Sequence, residues 1–415
     1  MIQRPRGTRD FGPEEMEKRR CLEATMRQEA AVFGFREVAT PIFEHTELFT
    51  LKSGPNVVDE IYSFQDKGGR EIALRPELTA PVMRFFVNEL TNMPRPLKMF
   101  YFGPCFRYER PQSGRYREFY QFGAELIGNP GPESDAEVIA LAASIMRRIG
   151  LKRYNIRIGH IGVLRGMLSQ AGVGADRAPA ILQKLDKKEY DEARQRMADA
   201  GMGAEDIERV VDITSTIGPV EVLDKISGEA REHLLGIFRV LQAYGLDNVE
   251  VDLGVVRGLD YYTGMVFEMD APVLGAEKQI CGGGSYSLTE LFGGEKTFST
   301  GFGIGFDRTL LALEKEGYAG PERCVDVYVI PVGDSTRQEA HRLAARLRQA
   351  GVVTEIDLMG RSMSKSFKHA DAINARRAII VGEKELAQGA VTVRDMTTGE
   401  QRLVGKDDLL AAVTR

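Results

Sequence analysis

The chain has 415 residues, a formal net charge of −5, 43% hydrophobic and 28% charged residues, values of an ordinary globular protein long enough for two or three domains. The acidic balance argues against a general polyanion binder but leaves room for a local basic surface. Its four cysteines, Cys21, Cys105, Cys281 and Cys324, form no CxxC pair, and no apolar run could span a bilayer. Neither a zinc site nor a disulfide framework is expected from them, secretion and membrane insertion are not expected, and a reducing cytoplasm is.

Gly12-Pro13 before Glu14-Glu15 predicts a helix start, with Met16, Leu22, Met26, Ala30 and Phe33 on one stripe and Gly34 as its end. A strand is expected over Phe35 to Thr40, closed by Pro41, and a short strand plus a helix around Pro81 to Leu90 follow. Met99 to Glu109 and Tyr116 to Ile127 read as a hairpin around a polar loop with Pro111, Ser113 and Gly114. A helix from about Ser134 to Ile149 and a strand at Tyr154 to Ile158 come next. Over residues 164–246 strand signals give way to charged, Ala-rich sequence, which predicts a helical insertion. Strand-rich sequence returns at Val249 to Asp270 and Lys296 to Phe306, before a helix from Asp307 to Lys315. Glu316 to Pro321 carries linker signals. Strands at Val325 to Pro331, Val352 to Asp357 and Arg377 to Gly382, alternating with two helices, then predict a separate α/β domain. The expected division is 1–322 and 323–415.

Strand parity marks the hairpin. Arg107 and Glu109 share one face of the first strand, and Arg117, Phe119, Gln121, Gly123 and Glu125 share one face of the second. Such a face could simply meet water. Its mixture of guanidinium, aromatic ring, amide and carboxylate also suits a polar cavity for phosphate, a base and a small amine. Glycine-rich phosphate loops are missing: Gly293-Gly294-Glu295-Lys296-Thr297 only imitates one, and Gly301-Phe302-Gly303-Ile304-Gly305 has the wrong spacing and fits a close-packed strand-to-helix junction. Arginines would have to hold any phosphates.

Phe106 to Pro111 followed by Gly114 to Gln121 resembles motif 2 of the class II aminoacyl-tRNA synthetases, and Gly301 to Arg308 resembles their motif 3. Arg257-Gly258-Leu259-Asp260-Tyr261-Tyr262-Thr263-Gly264 is similar to the histidine signature of the histidyl-tRNA synthetase family, and Arg6 to Asp10 and Leu74 to Thr79 agree with it. The resemblance implies an α+β fold: a class II catalytic domain on an antiparallel sheet with a helical insertion, then a C-terminal α/β anticodon-binding domain. It implies an enzyme that activates L-histidine with ATP and Mg²⁺, releases pyrophosphate, and charges a histidine tRNA. A homodimer joined through the first helix and the strand ending at Pro41 is implied as well.

Residue by residue, the resemblance gives Arg107 to the α-phosphate, Arg308 to the γ-phosphate, Arg115 to further phosphate contacts, Phe119 to adenine stacking and Glu109 to the adenine amine. Glu77, Thr79 and Gln121 would take the histidine ammonium, and Glu125 and Tyr262 the imidazole. Arg257, with Arg107 the expected catalytic pair, would bridge carboxylate and α-phosphate. No protein metal ligand is implied. One block departs: where the family commonly reads Gly-Gly-Arg-Tyr-Asp, this chain has Gly282-Gly283-Gly284-Ser285-Tyr286-Ser287, which keeps the glycine-rich turn and the tyrosine but not the arginine and acid, with Gly283 and Tyr286 expected at the pocket. Arg361, Lys365 and Lys368 would share a helical face toward tRNA. Histidines 45, 160, 233, 341 and 369 are expected to be structural or superficial, and Tyr261 to pack in the core. The main rival is a non-catalytic paralogue like the regulatory subunit of histidine biosynthesis; that family characteristically lacks the last domain and degrades the ATP arginines, whereas Arg107, Arg257, Arg308 and the final domain are all present here.

Overall fold

The computed structural model describes residues 2–53, 55–108, 115–255, 261–321 and 325–414. The chain divides into two compact units, Met1–Ala319 and Gly320–Arg415.

The first unit is organised by a sheet of nine strands among the described residues. Their spatial order is Arg36–Glu37, Leu97–Phe106, Glu118–Ile127, Ser299–Gly305, Gln279–Tyr286, Tyr262–Asp270, Asn155–His160, Val249–Asp252 and Ile217–Gly218. The five central pairings from Leu97–Phe106 to Asn155–His160 are antiparallel. Alternation gives the sheet two unlike faces. One carries Phe100, Phe122, Ala124, Phe302 and Ile304, all buried; its Ala124 and Phe302 are directly paired, as are Phe122 and Ile304. The helix Pro132–Arg148, whose Val138, Ile139, Leu141, Ala142 and Ile145 are wholly buried, belongs to the same core. The other face carries the polar residues of the hairpin.

The first helix, Pro13–Val32, buries Leu22, Met26 and Ala30 together with Arg19 and Glu23, and ends at Gly34 with φ +79°. A three-stranded antiparallel sheet, Phe43–His45, Glu71–Leu74 and Tyr62–Gln65, leads into the helix Thr79–Phe85. Between residues 161 and 243 lie five α-helices, Ile161–Gln170, Ala178–Asp186, Tyr190–Asp199, Ala204–Thr214 and Glu229–Ala243, and a 3-10 turn at Val220–Lys225, interrupted by the short edge strand Ile217–Gly218, which the expectation of a purely helical stretch did not include.

The largest departure is Gln279–Tyr286. The sequence reading makes Gly282 to Gly284 a turn, yet these residues form a central strand. Glycine lowers strand propensity, so the run lacked a strand signal. Packing requires it: a Cβ on Gly283 would lie 2.2 Å from the Gly301 carbonyl, and one on Gly284 would lie 2.4 Å from that of Met265.

The second unit has parallel strands Thr354–Ile356, Val325–Pro331 and Ala375–Val381, extended by antiparallel Ala390–Asp395 and Gln401–Gly405. Helices Arg337–Gln349 and Met363–Ala372 belong to separate cores, one around Val327 and Val329 and the other around Val325, Tyr328 and Ile330. Parallel strands demand this cover on both sides. The two antiparallel strands add to the alternating pattern read from sequence.

Candidate active site

On the polar face the hairpin register places Tyr101 opposite Gly123 and Cys105 opposite Phe119, while Gly301, Gly303 and Gly305 face Glu125, Gly123 and Gln121 from the next strand. Gly282 and Gly284 continue the row. Tyr101 lies over Gly123, Glu125 over Gly301 and Tyr262 over Gly284, whereas Gly303 and Gly305 line open space.

At one end a cavity of about 200 Å³ is lined by Arg107, Arg115, Tyr116, Phe119, Gln121, Asp307 and Arg308 together with Gly303 and Gly305. Four expected ATP residues thus meet with Gln121 in one place. The Arg107 guanidinium lies 5.1 Å from the Phe119 ring centroid, and its Nε donates to the Pro76 carbonyl at 2.9 Å. Arg308 donates from Nη1 to the Gln279 carbonyl at 2.9 Å and approaches Glu277 at 3.5 Å. These anchors orient both cations along the cavity wall.

Asp307 was not among the expected site residues. Its buried carboxylate accepts from Arg9 at 2.5 Å, from Arg19 at 2.7 Å and from the Tyr120 backbone N–H at 2.7 Å. Arg9 lies 3.5 Å from the Tyr116 ring centroid. The N-terminal segment, the second hairpin strand and the start of the helix Phe306–Lys315 therefore converge on one acid. An aspartate in a first helical turn ordinarily signals only the helix dipole, so sequence alone gave no reason to single it out.

At the other end, Glu125 is buried and accepts from the Tyr101 hydroxyl at 2.8 Å and the Tyr286 hydroxyl at 2.5 Å. Burial pushes its carboxyl up to about 7 against the lowering effect of those hydroxyls. The same burial, with the Glu125 charge nearby, holds Tyr101 and Tyr286 well above the usual phenol range. Thr79 Oγ1 lies 3.2 Å from the Tyr101 hydroxyl, and Glu77 accepts from the backbone N–H groups of Thr79 and Ala80 at 2.7 and 3.0 Å. Glu77 thus caps the helix that presents Thr79. Tyr262 is buried and paired in register with Tyr286. Tyr261, expected only to fill the core, packs its ring 4.6 Å from that of Tyr262 and edge-on to Tyr286 at 5.5 Å. It belongs to the tyrosine cluster around Glu125. Gln121, midway along the strand, accepts from Cys105 Sγ at 3.3 Å.

Gly283 needs correction. A Cβ there would meet Phe267 and Phe302 on the apolar face, whereas Gly282 and Gly284 carry the pocket side. The same parity turns Ser285 away from the pocket, so the departure from the Gly-Gly-Arg-Tyr-Asp pattern leaves Tyr286 in place. Glu109 and Arg257 lie outside the described residues. In the second unit Arg361 precedes the helix Met363–Ala372 and is held by Asp357, with Nη1 to Oδ1 at 2.7 Å, so it does not share the helical face of the exposed Lys365 and Lys368.

The family model for histidyl-tRNA synthetase matches residues 7–309, and that for the anticodon binding domain matches residues 326–415. A histidine–tRNA ligase of Archaeoglobus fulgidus is 45% identical over 417 residues, 99% of each chain. The corresponding protein of Pyrococcus furiosus is 42% identical over 424 residues, 99% of this chain and 98% of its own. Among solved structures, apo histidyl-tRNA synthetase of S. aureus is 32% identical with a TM-score of 0.79 over the whole of both chains. That of a Nostoc species is 25% identical, with a TM-score of 0.83 over 100% of this chain and 99% of its own. Identity of this extent along the full length, joined to an arginine-walled cavity beside a buried carboxylate, places the chain in the histidyl-tRNA synthetase family.

Proposed function

We propose that the chain activates L-histidine with ATP and transfers it to the 3′ end of a histidine tRNA, with the two ends of the glycine-floored groove holding the two small substrates. The observation that carries the division of labour is the meeting of Arg107, Arg115, Phe119, Gln121 and Arg308 in one cavity. Phe119 stacks on adenine. Arg107 holds the α-phosphate, Arg115 and Arg308 the outer phosphates, and Glu109 the adenine amine. Glu125, with Tyr262 and Tyr286, receives the imidazole, while Gln121, Thr79 and Glu77 receive the ammonium. Arg257 bridges the histidine carboxylate and α-phosphate, which offsets the repulsion of two anions brought within bonding distance. The carboxylate attacks the α-phosphorus, pyrophosphate leaves, and a ribose hydroxyl of the tRNA end then displaces AMP.

Mg²⁺ enters as part of the ATP substrate. The substrate phosphates would supply part of its coordination. Lys365 and Lys368, both exposed on the helix Met363–Ala372, face the anticodon arm. A homodimer fits the exposed phenylalanines Phe43 and Phe64, which share one face of the three-stranded sheet with Ile72 and Leu74. The enzyme acts in the cytoplasm, where charged tRNA is consumed. No helix among the described residues is long and apolar enough to cross a membrane.

Histidine-dependent exchange of pyrophosphate into ATP by the purified protein with Mg²⁺ tests this reading. Arg257→His is expected to lower that exchange by about 10² or more while ATP still binds. Absence of exchange in the parent protein would instead favour the regulatory paralogue.

A further inference from the structure

On the apolar side of the sheet, directly behind the tyrosine cluster, lies a polar group that the chemistry above does not use. Asp135, fully buried in the first turn of the helix Pro132–Arg148, accepts from the Ser285 hydroxyl at Oδ1, 2.7 Å away. Its Oδ2 lies 2.7 Å from His233 Nε2, on the helix Glu229–Ala243 that closes the helical insertion. A carboxylate acceptor selects the tautomer with hydrogen on Nε2. Three separate elements are thereby joined through a buried acid, and an acid so placed fixes its partners because losing either leaves an oxygen unsatisfied.

The backbone around Ser285 explains why such an anchor matters. Tyr262 pairs with Tyr286 and Val266 with Gly284, so four residues advance on one strand against two on the other. Regular pairing is lost beside Ser285, where Thr263 Oγ1 donates to its carbonyl at a long 3.5 Å. The flanking glycine at 284 adds further backbone freedom. Yet the next residue, Tyr286, must place its hydroxyl 2.5 Å from Glu125 Oε2.

We infer that the Ser285–Asp135–His233 chain is a positioning device for histidine recognition: it holds the irregular strand so that Tyr286 meets Glu125, and it makes the last helix of the insertion part of that alignment. The inference rests on the assignment of the Glu125 end to histidine. Ser285, Asp135 and His233 are positioning residues; all three lie behind the sheet and touch no substrate.

The test is pyrophosphate exchange with the full-length enzyme, with KM measured separately for histidine and ATP. Ser285→Ala and His233→Leu are each expected to raise KM for histidine about tenfold, with KM for ATP and kcat within about twofold of the parent. His233→Gln, which keeps an N–H donor, is expected to recover most of the loss. His233 is partly exposed, so its substitutions decide the matter even where Ser285→Ala does not fold. Unchanged histidine KM in His233→Leu, or equal rises for both substrates, would overturn the inference. An equal defect in His233→Gln and His233→Leu would overturn it too. A parent enzyme whose exchange ignores histidine would instead refute the pocket assignment itself.

Discussion

Glu125 is where burial and hydrogen bonding act in opposite directions, and its raised pKa has a consequence for stability. Below about pH 4 folded and unfolded chains both carry the proton. As pH rises toward about 7 the unfolded chain releases it while the folded chain keeps it, so folding stability falls through that window and levels off above it. A displacement from 4.5 to about 7 amounts to about 3 kcal/mol. Glu125→Gln removes the slope, and the apo enzyme's unfolding midpoint at about pH 5 and about pH 8 should fall less in this variant than in the parent. Parallel behaviour would mean an ordinary carboxyl. The floor glycines separate packing from function. Gly301→Ala would set a Cβ 1.8 Å from Glu125 Oε2 and 2.5 Å from the Ala124 carbonyl, whereas at Gly303 the nearest neighbour is Gln121 Nε2 at 4.0 Å. Gly303→Ala should therefore unfold at the parent's midpoint yet show KM values about tenfold higher, or ~1.4 kcal/mol of binding. Gly301→Ala should lose histidine-dependent exchange altogether. Parity made Gln121 and Glu125 legible in the sequence, because alternation in a strand is rigid. The same rule applied to Gly282–Tyr286 would have excluded Gly283, had the run been recognised as a strand.

At the scale of elements, the hairpin and the long helices were legible because their apolar residues recur with the period of the structure they form. The strand Gln279–Tyr286 was hidden because its glycines are selected by neighbours distant in sequence, namely Gly301, Phe267 and Met265. Asp307 escaped notice for a related reason: its partners Arg9, Arg19 and Tyr120 come from two other parts of the chain. Its three-way junction aligns the helix that carries Arg308 with the strand that carries Phe119. Asp307→Asn, which leaves two arginines facing a neutral amide, should raise KM for ATP about tenfold and spare KM for histidine; separate titration of the two substrates checks this. Equal rises would make the junction a general support of the fold.

Across the whole molecule, the two units have separate cores and separate sheets. Removing the residues after Ala319 should leave pyrophosphate exchange near the full-length rate while tRNA charging falls by about 10² or more, measured on the same preparation. Equal loss of both activities would show that the second unit maintains the first. The α/β alternation of that unit was legible in its apolar runs, but its final two antiparallel strands, Ala390–Asp395 and Gln401–Gly405, were not. They are short, and only the four-residue helix Glu383–Leu386 precedes them, too brief to carry a helical period in sequence.

The glycine floor also limits how the pocket can change over time. Glycine has no side chain to remove, so no substitution along Gly301, Gly303, Gly282 or Gly284 can deepen the groove. A side chain at Gly303 can only fill space, and one at Gly301 or Gly284 collides with its neighbours. Drift toward a larger amino acid would have to start at the tyrosine walls, where shortening a ring also abandons the hydroxyls that hold Glu125. Enlarging the pocket at these rings thus also loosens the buried acid, which leaves the Glu125 end few viable routes to a larger volume.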